Sequence, residues 1–219
     1  MYNFYATLLD TFHWYQQNEK ETALEEFLSS VNRTSKFSEA AARGTAFNEL
    51  IDAAIKDTVQ FEHAIKNKQE QITFKNFTFP TAIVKEFVAF FSGSVSNIFV
   101  EAPIETQSGT VRLYGYIVEI KRDWVYDIKT KNQYKFPAFM EKYQHLVYPY
   151  CLHEKGTPIN NFQYTITDFN DTFVEEYIYN HERDSATLRK ACSDLIEFIE
   201  RPEIKSQITN LKIYGLENN

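Results

Sequence analysis

Glycine and cysteine are both scarce in this chain, at 6 and 2 of 219 residues. The two cysteines, Cys151 and Cys192, lie far apart and form no CxxC pair. That argues against a disulfide framework, a zinc ribbon and an iron–sulfur cluster. The five histidines, His13, His63, His145, His153 and His181, show no metal-ligand spacing. No GxGxxG or Walker loop occurs, so a cradle for nucleotide phosphates is not expected. No apolar run approaches the ~18 residues that span a bilayer. The N-terminus, Met1-Tyr2-Asn3-Phe4-Tyr5, lacks the basic-then-apolar pattern of a signal peptide. The expectation is a cytoplasmic protein with no membrane partner. No Gly/Ser-rich linker, repeat or low-complexity tract divides the chain, so one domain is expected over residues 1–219.

Aromatic residues are abundant: 19 Phe and 14 Tyr. With 43% hydrophobic and 24% charged residues, they indicate a packed domain. Net charge is −7. A protein that grips nucleic acid by phosphate neutralisation alone is usually basic, so any basic surface here must be local.

Periodicity predicts helices over 5–16 and 21–31, with Leu8, Leu9 and Phe12, then Leu24, Phe27, Leu28 and Val31, on their buried faces. Ser38 suits the N-cap of a third helix reaching about Asp57. Residues 71–79 read as a strand pair or a bulged strand. Pro80 and Gly93 then suit the first turn and the C-terminal cap of a helix. A three-strand meander is predicted over 97–103, 110–121 and 124–130. A helix of about 136–153, a hairpin over 161–168 and 173–179, a helix over 184–200 and a last strand over 211–214 complete the reading.

Within the meander stands Val125-Tyr126-Asp127-Ile128-Lys129-Thr130. Alternation along a strand puts Asp127 and Lys129 on one face. The carboxylate can hold a hard cation such as Mg²⁺, and the ammonium can approach a water or phosphate oxygen beside it. Phosphodiester hydrolysis uses this pairing: a metal to polarise phosphate and acidify water, and a cation to hold developing charge. Two other segments stand out. In Arg43-Gly44-Thr45-Ala46-Phe47-Asn48-Glu49, a glycine interrupts a helical pattern, and Glu49 can point off the helix toward the sheet. In Tyr143-Gln144-His145-Leu146-Val147-Tyr148, Gln144 and Tyr148 share a helix face.

The order Gly-x-x-x-Asn-Glu, Gly-Tyr-Ile-Val, Asp-Ile-Lys-Thr, Gln-x-x-x-Tyr resembles the RecB-like, exonuclease branch of the PD-(D/E)xK nuclease superfamily, over roughly residues 38–150. That branch reads Gly-x-x-x-His-Glu, Gly-x-x-Asp, Asp/Glu-x-Lys-Thr and Gln-x-x-x-Tyr. The resemblance implies an α/β fold with a restriction-endonuclease-like core, a central mixed sheet with a three-strand meander flanked by helices. Residues 1–37 would be a helical N-terminal elaboration, 38–150 the motif-bearing core, and 151–219 the C-terminal strands and helix. It implies Mg²⁺ or Mn²⁺ held by Glu49, Asp127 and the Ile128 carbonyl, with Asn48 at the position of the family histidine. Lys129 would orient water or hold phosphate, and Gln144 and Tyr148 would position the nucleic-acid backbone or support the lysine.

The family aspartate falls on Val118, which cannot ligate a metal. Glu119 points to the opposite face by alternation and could replace it only if a bulge reorients it. Glu101 and Glu105 are further candidates. Lys121-Arg122, Lys131 and Lys135 could meet phosphates. The expected function is a metal-dependent DNA nuclease, exonuclease-like, of bacterial or phage DNA metabolism, with DNA or RNA as partner. The alternative is an inactive nuclease-fold protein that binds nucleic acid or a protein partner.

Overall fold

A computed structural model describes residues 1–35, 38–56 and 70–216. Its elements in chain order begin with β1 (Tyr2–Tyr5), α1 (Ala6–Gln17), α2 (Ala23–Val31) and α3 (Glu39–Lys56). A hairpin of β2 (Gln71–Phe74) and β3 (Phe77–Pro80) leads into α4 (Thr81–Phe91). The meander is β4 (Val95–Thr106), β5 (Gly109–Lys121) and β6 (Trp124–Thr130). Then come α5 (Gln144–Glu154), β7 (Asn161–Thr167), β8 (Thr172–Ile178), α6 (His181–Ile199), α7 (Pro202–Lys205) and a 3₁₀ turn at Leu211–Tyr214.

Local chemistry sets several boundaries. Ser38 Oγ accepts the Ala41 N–H at 3.1 Å, so α3 starts where a capping hydroxyl satisfies one of its free donors. Asn180 does the same for Arg183 at 2.9 Å, with Glu182 and Asp184 in the first turn of α6. Gly93, at φ +80°, lets the chain turn out of α4.

The sheet is built around β5. One edge pairs antiparallel with β4 along its length. The other edge is divided. Val111–Tyr114 pair parallel with β1, and Glu119–Lys121 pair antiparallel with β6. Between these two pairings β5 and β6 diverge. Beyond β6, β7 adds in parallel and β8 antiparallel, giving a six-stranded mixed sheet.

Helices cover both faces. On one, α1, α2, α5 and α6 pack Phe12, Phe27, Val147, Leu188 and Leu195 against Leu113, Val125 and Phe162. On the other, α3, α4 and the β2–β3 hairpin pack Phe47, Phe79, Phe87 and Phe91 against Tyr126 and Ile128. Each fully buried phenylalanine is worth about 1.5–3 kcal/mol of transfer free energy. Among the described residues no helix is long and apolar enough to cross a membrane.

The structure corrects the sequence reading in places. Residues 211–214 form a 3₁₀ turn instead of a strand. The helix expected from about 136 begins at Gln144, because 136–143 is irregular and anchored by side chains: Glu175 accepts the Ala138 and Phe139 N–H groups. Pro80 sits at the N-cap of α4, one place before the first turn. β1 was not anticipated, nor was the early start of α6 at His181. Asp57, the expected end of α3, and His63 lie outside the described residues.

Candidate active site

The divergence of β5 and β6 organises the candidate site. Asp127 and Lys129 lie on one face of β6, as alternation requires, and Lys129 Nζ stands 2.5 Å from Asp127 Oδ2. Asp127 is only 2% exposed. α5 supplies its other neighbours. Gln144 Nε2 lies 3.4 Å from Asp127 Oδ1 and 3.1 Å from the Tyr148 hydroxyl. One amide thereby joins the carboxylate to the phenol. Burial, then the Asp127 charge, push the Tyr148 hydroxyl far above its ordinary value, so it stays neutral while it accepts the Gln144 amide.

Two glycines are explained by close approach. A Cβ on Gly115 would sit 2.7 Å from Tyr148 Cε1, so the Tyr148 ring covers a position where only glycine leaves room. A Cβ on Gly44 would sit 2.9 Å from Thr130 Oγ1. The glycine that interrupts α3 lets this helix lie close to the end of β6.

That approach brings Asn48 to β6. Its Nδ2 lies 3.5 Å from the Ile128 carbonyl, and its Oδ1 is buried with no hydrogen-bond partner. Asp127 Oδ2 is also buried without a hydrogen bond, though it faces the Lys129 ammonium. Glu49 does not join them. It is about half exposed and forms an ion pair with Lys75 of the β2–β3 turn, so it points away from the strand it was expected to address. Among the described residues no group of three or more His, Cys, Asp or Glu side chains could hold a metal.

The remaining acidic candidates are placed elsewhere. Val118 packs against the α3–α4 core. Glu119 is fully buried and also turns to the α3 side, where Ser94 and Asp52 meet it. Strict alternation fails here because Asn97, opposite Val118, adopts φ +57° and drops out of the ladder. Burial above all, with Asp52 adding to it, raises the Glu119 carboxyl to about 7. Glu101 pairs with Arg112, and Glu105 accepts from Thr110 at 2.8 Å. Lys121 is held by the Phe90 carbonyl.

Sequence reasoning missed two features. Asp10 of α1 accepts the Tyr143 N–H at 2.7 Å, and burial raises its carboxyl. It lies close enough to Asp127 and Lys129 to feel both charges. Nothing in its spacing marks it. The second is a cleft of about 560 Å³ between α3 and the end of β6. Arg43, Lys129 and Lys131 line it, together with Asn48, Ile128 and Phe169, and no carboxylate does. Arg43 lies 4.0 Å over the Phe169 ring, which the fold wedges against Phe47 and Phe79.

These features define an α/β core, a mixed sheet flanked by helices with a charged site where two strands part. Comparison with solved structures agrees at the level of the fold. The protein SSO0001 superposes with a TM-score of 0.51 at 10% identity, covering 92% of this chain and 78% of that one. A putative exonuclease from Eubacterium rectale superposes with a TM-score of 0.50 at 9% identity, covering 93% and 80%. No protein-family model matches the chain, and no curated protein matches it.

Proposed function

We propose that this chain is a metal-dependent DNA nuclease of the RecB-like branch of the PD-(D/E)xK superfamily, exonuclease-like in action. The observation that carries this reading is the cleft lined by three cations and no carboxylate, opening on Lys129 and the Ile128 carbonyl, in a chain of net charge −7. A local basic surface on an acidic protein suits a phosphodiester backbone.

The donor set suits a hard divalent cation. The Asn48 Oδ1, which has no hydrogen-bond partner, the Asp127 carboxylate, which Lys129 now faces, and the Ile128 carbonyl are oxygen ligands of the kind Mg²⁺ or Mn²⁺ prefers. Mg²⁺ usually binds through one or two carboxylates plus substrate phosphate, so a single carboxylate points to tight binding only with DNA present. Held there by Asn48, Asp127 and the Ile128 carbonyl, such an ion would supply polarisation of the scissile phosphate and acidify a water. Arg43 and Lys131 would hold flanking phosphates. Lys129 would stabilise negative charge developing on the phosphoryl oxygens. Gln144 and Tyr148 would hold Asp127 in place.

A second reading, a nuclease-fold protein that binds nucleic acid without cutting it, is favoured by Val118 at the ligand position and by the engagement of Glu49 with Lys75. Purified protein incubated with linear and circular DNA in Mg²⁺ and in Mn²⁺, beside Asp127→Ala, separates the two. Cleavage of linear DNA that Asp127→Ala abolishes supports the nuclease. No cleavage in either metal, with none gained in Val118→Asp, leaves the binding protein.

A further inference from the structure

Among the described residues Phe169 is the one aromatic residue held at a positive φ, +71°. That conformation costs free energy for any residue with a side chain, and a bulky ring adopts it only where its surroundings enforce it. The β7–β8 turn does so. The Phe169 N–H donates to Thr167 Oγ1, which in turn donates to the Asp171 carbonyl, each at 2.9 Å. Asp168 Oδ1 accepts the Asn170 and Asp171 N–H groups, also at 2.9 Å. The strained residue brings its ring to the wall of the cleft beside α3. Phe47 meets the ring edge-on at 5.4 Å, and Phe79 of β3 lies 5.6 Å away. The Arg43 guanidinium then sits 4.0 Å over the Phe169 ring and 5.9 Å over Phe79. Its Nη2 lies 3.5 Å from the Thr78 carbonyl. The β7–β8 turn, β3 and α3 thus converge on one arginine, in a cleft whose lining includes no carboxylate.

We infer that Phe169 is a positioning residue for phosphate binding: its ring fixes the Arg43 guanidinium at the wall of the cleft, with N–H groups presented to a DNA phosphate alongside Lys131. The inference rests on the reading of the chain as a DNA-acting protein. A carboxylate would also hold the arginine in place, but it would occupy the N–H groups that grip a phosphate and cancel the charge. An aromatic ring contacts the flat face of the guanidinium, so the N–H edge stays available for the two-pronged contact that arginine makes with phosphate oxygens. A guanidinium already held in place loses less side-chain freedom when the phosphate arrives. The backbone strain at Phe169 has a use in these terms. Apolar packing against Phe47 and Phe79 alone does not call for a cation over the ring; a leucine would also fill that space.

The full chain is titrated with a labelled short DNA duplex and with its single strand, in EDTA and in Ca²⁺, with binding read by fluorescence anisotropy. Arg43→Gln should weaken binding about tenfold or more. Phe169→Leu, which keeps apolar bulk without a ring, should weaken it about fivefold. Phe169→Tyr should bind as the wild type does. Because Phe169 acts through Arg43, Phe169→Leu/Arg43→Gln should bind no more weakly than Arg43→Gln alone. In the DNA-free wild type, NMR should find the Arg43 side-chain protons shifted upfield by the ring beneath them, a signal that needs no variant to fold. Wild-type-like binding by Phe169→Leu, beside a weakened Arg43→Gln, overturns the positioning role and leaves the DNA-acting reading standing. Losses that add in the double variant also overturn it, and give the ring a contact of its own with DNA. Unshifted Arg43 protons overturn the pairing itself. A wild type that binds neither DNA in either condition overturns the DNA-acting reading and the use assigned to the pair; a persisting Arg43 shift then tells that outcome from failure of the pair.

Discussion

Replacing Glu119 by glutamine should change how stability depends on pH, in a way that reveals a buried proton. Glu119 is fully buried. Ser94 Oγ lies 2.5 Å from its Oε2 and 2.6 Å from the Phe91 carbonyl. A hydroxyl has one proton and the carbonyl can only accept, so both contacts are satisfied when Glu119 is protonated and donates to Ser94. Asp52, Lys56 and Asn97 surround the pair, and Asn97 donates to Asp52 at 2.5 Å. Burial raises the Glu119 carboxyl from 4.5 to about 7. Between these values the unfolded chain has released a proton that the folded chain keeps, so stability falls as pH rises. A shift of that size corresponds to at most about 3–4 kcal/mol at ~1.4 kcal/mol per unit.

His145 opposes this. Burial lowers it from 6.5 to about 4, where it stacks 4.1 Å from Tyr177 and meets the Tyr164 hydroxyl at 3.2 Å. Between about pH 4 and 6.5 the unfolded histidine takes up a proton that the folded one refuses, so stability falls as pH drops. Over the shared window from 4.5 to 6.5 the two slopes cancel in the wild type. Glu119→Gln should leave the histidine slope alone, losing up to about 3–4 kcal/mol on acidification. At pH 8 it should be more stable than the wild type. Urea denaturation at fixed pH steps measures both. A Glu119→Gln profile parallel to the wild type would refute the buried proton.

Asp127→Ala should abolish Mn²⁺ binding in calorimetry with DNA present; retained binding would place the metal elsewhere. Val118→Asp should tighten Mn²⁺ binding and, without metal, lower stability by about 1–3 kcal/mol, the cost of a carboxylate set into apolar surroundings. Unchanged affinity would mean that position 118 does not face the site. Gly115→Ala should cost about 1–3 kcal/mol by forcing the Tyr148 ring off the strand, and Tyr148→Leu in the same chain should recover part of it. A loss below about 0.5 kcal/mol would show that the ring moves freely.

Local rules made part of the site legible. Asp127 and Lys129 share a face because a strand alternates, and Gln144 meets Tyr148 because a helix returns after four residues. The interruption at Gly44 was visible, but its cause, Thr130 at 2.9 Å from a would-be Cβ, lies more than eighty residues away. Glu49 illustrates the limit. Its helix was readable, but its partner Lys75 belongs to a turn that only the folded chain brings near.

By itself the sequence determined the order of most elements and the Asp127-Ile128-Lys129 strand, since both depend on periods of a few residues. Only the tertiary structure decided where β5 and β6 part, which way Val118 and Glu119 turn, and that Arg43 and Lys131 join Lys129 along a cleft whose lining includes no carboxylate. Those outcomes come from long-range strand pairing, and from one backbone twist at Asn97 that alternation cannot anticipate.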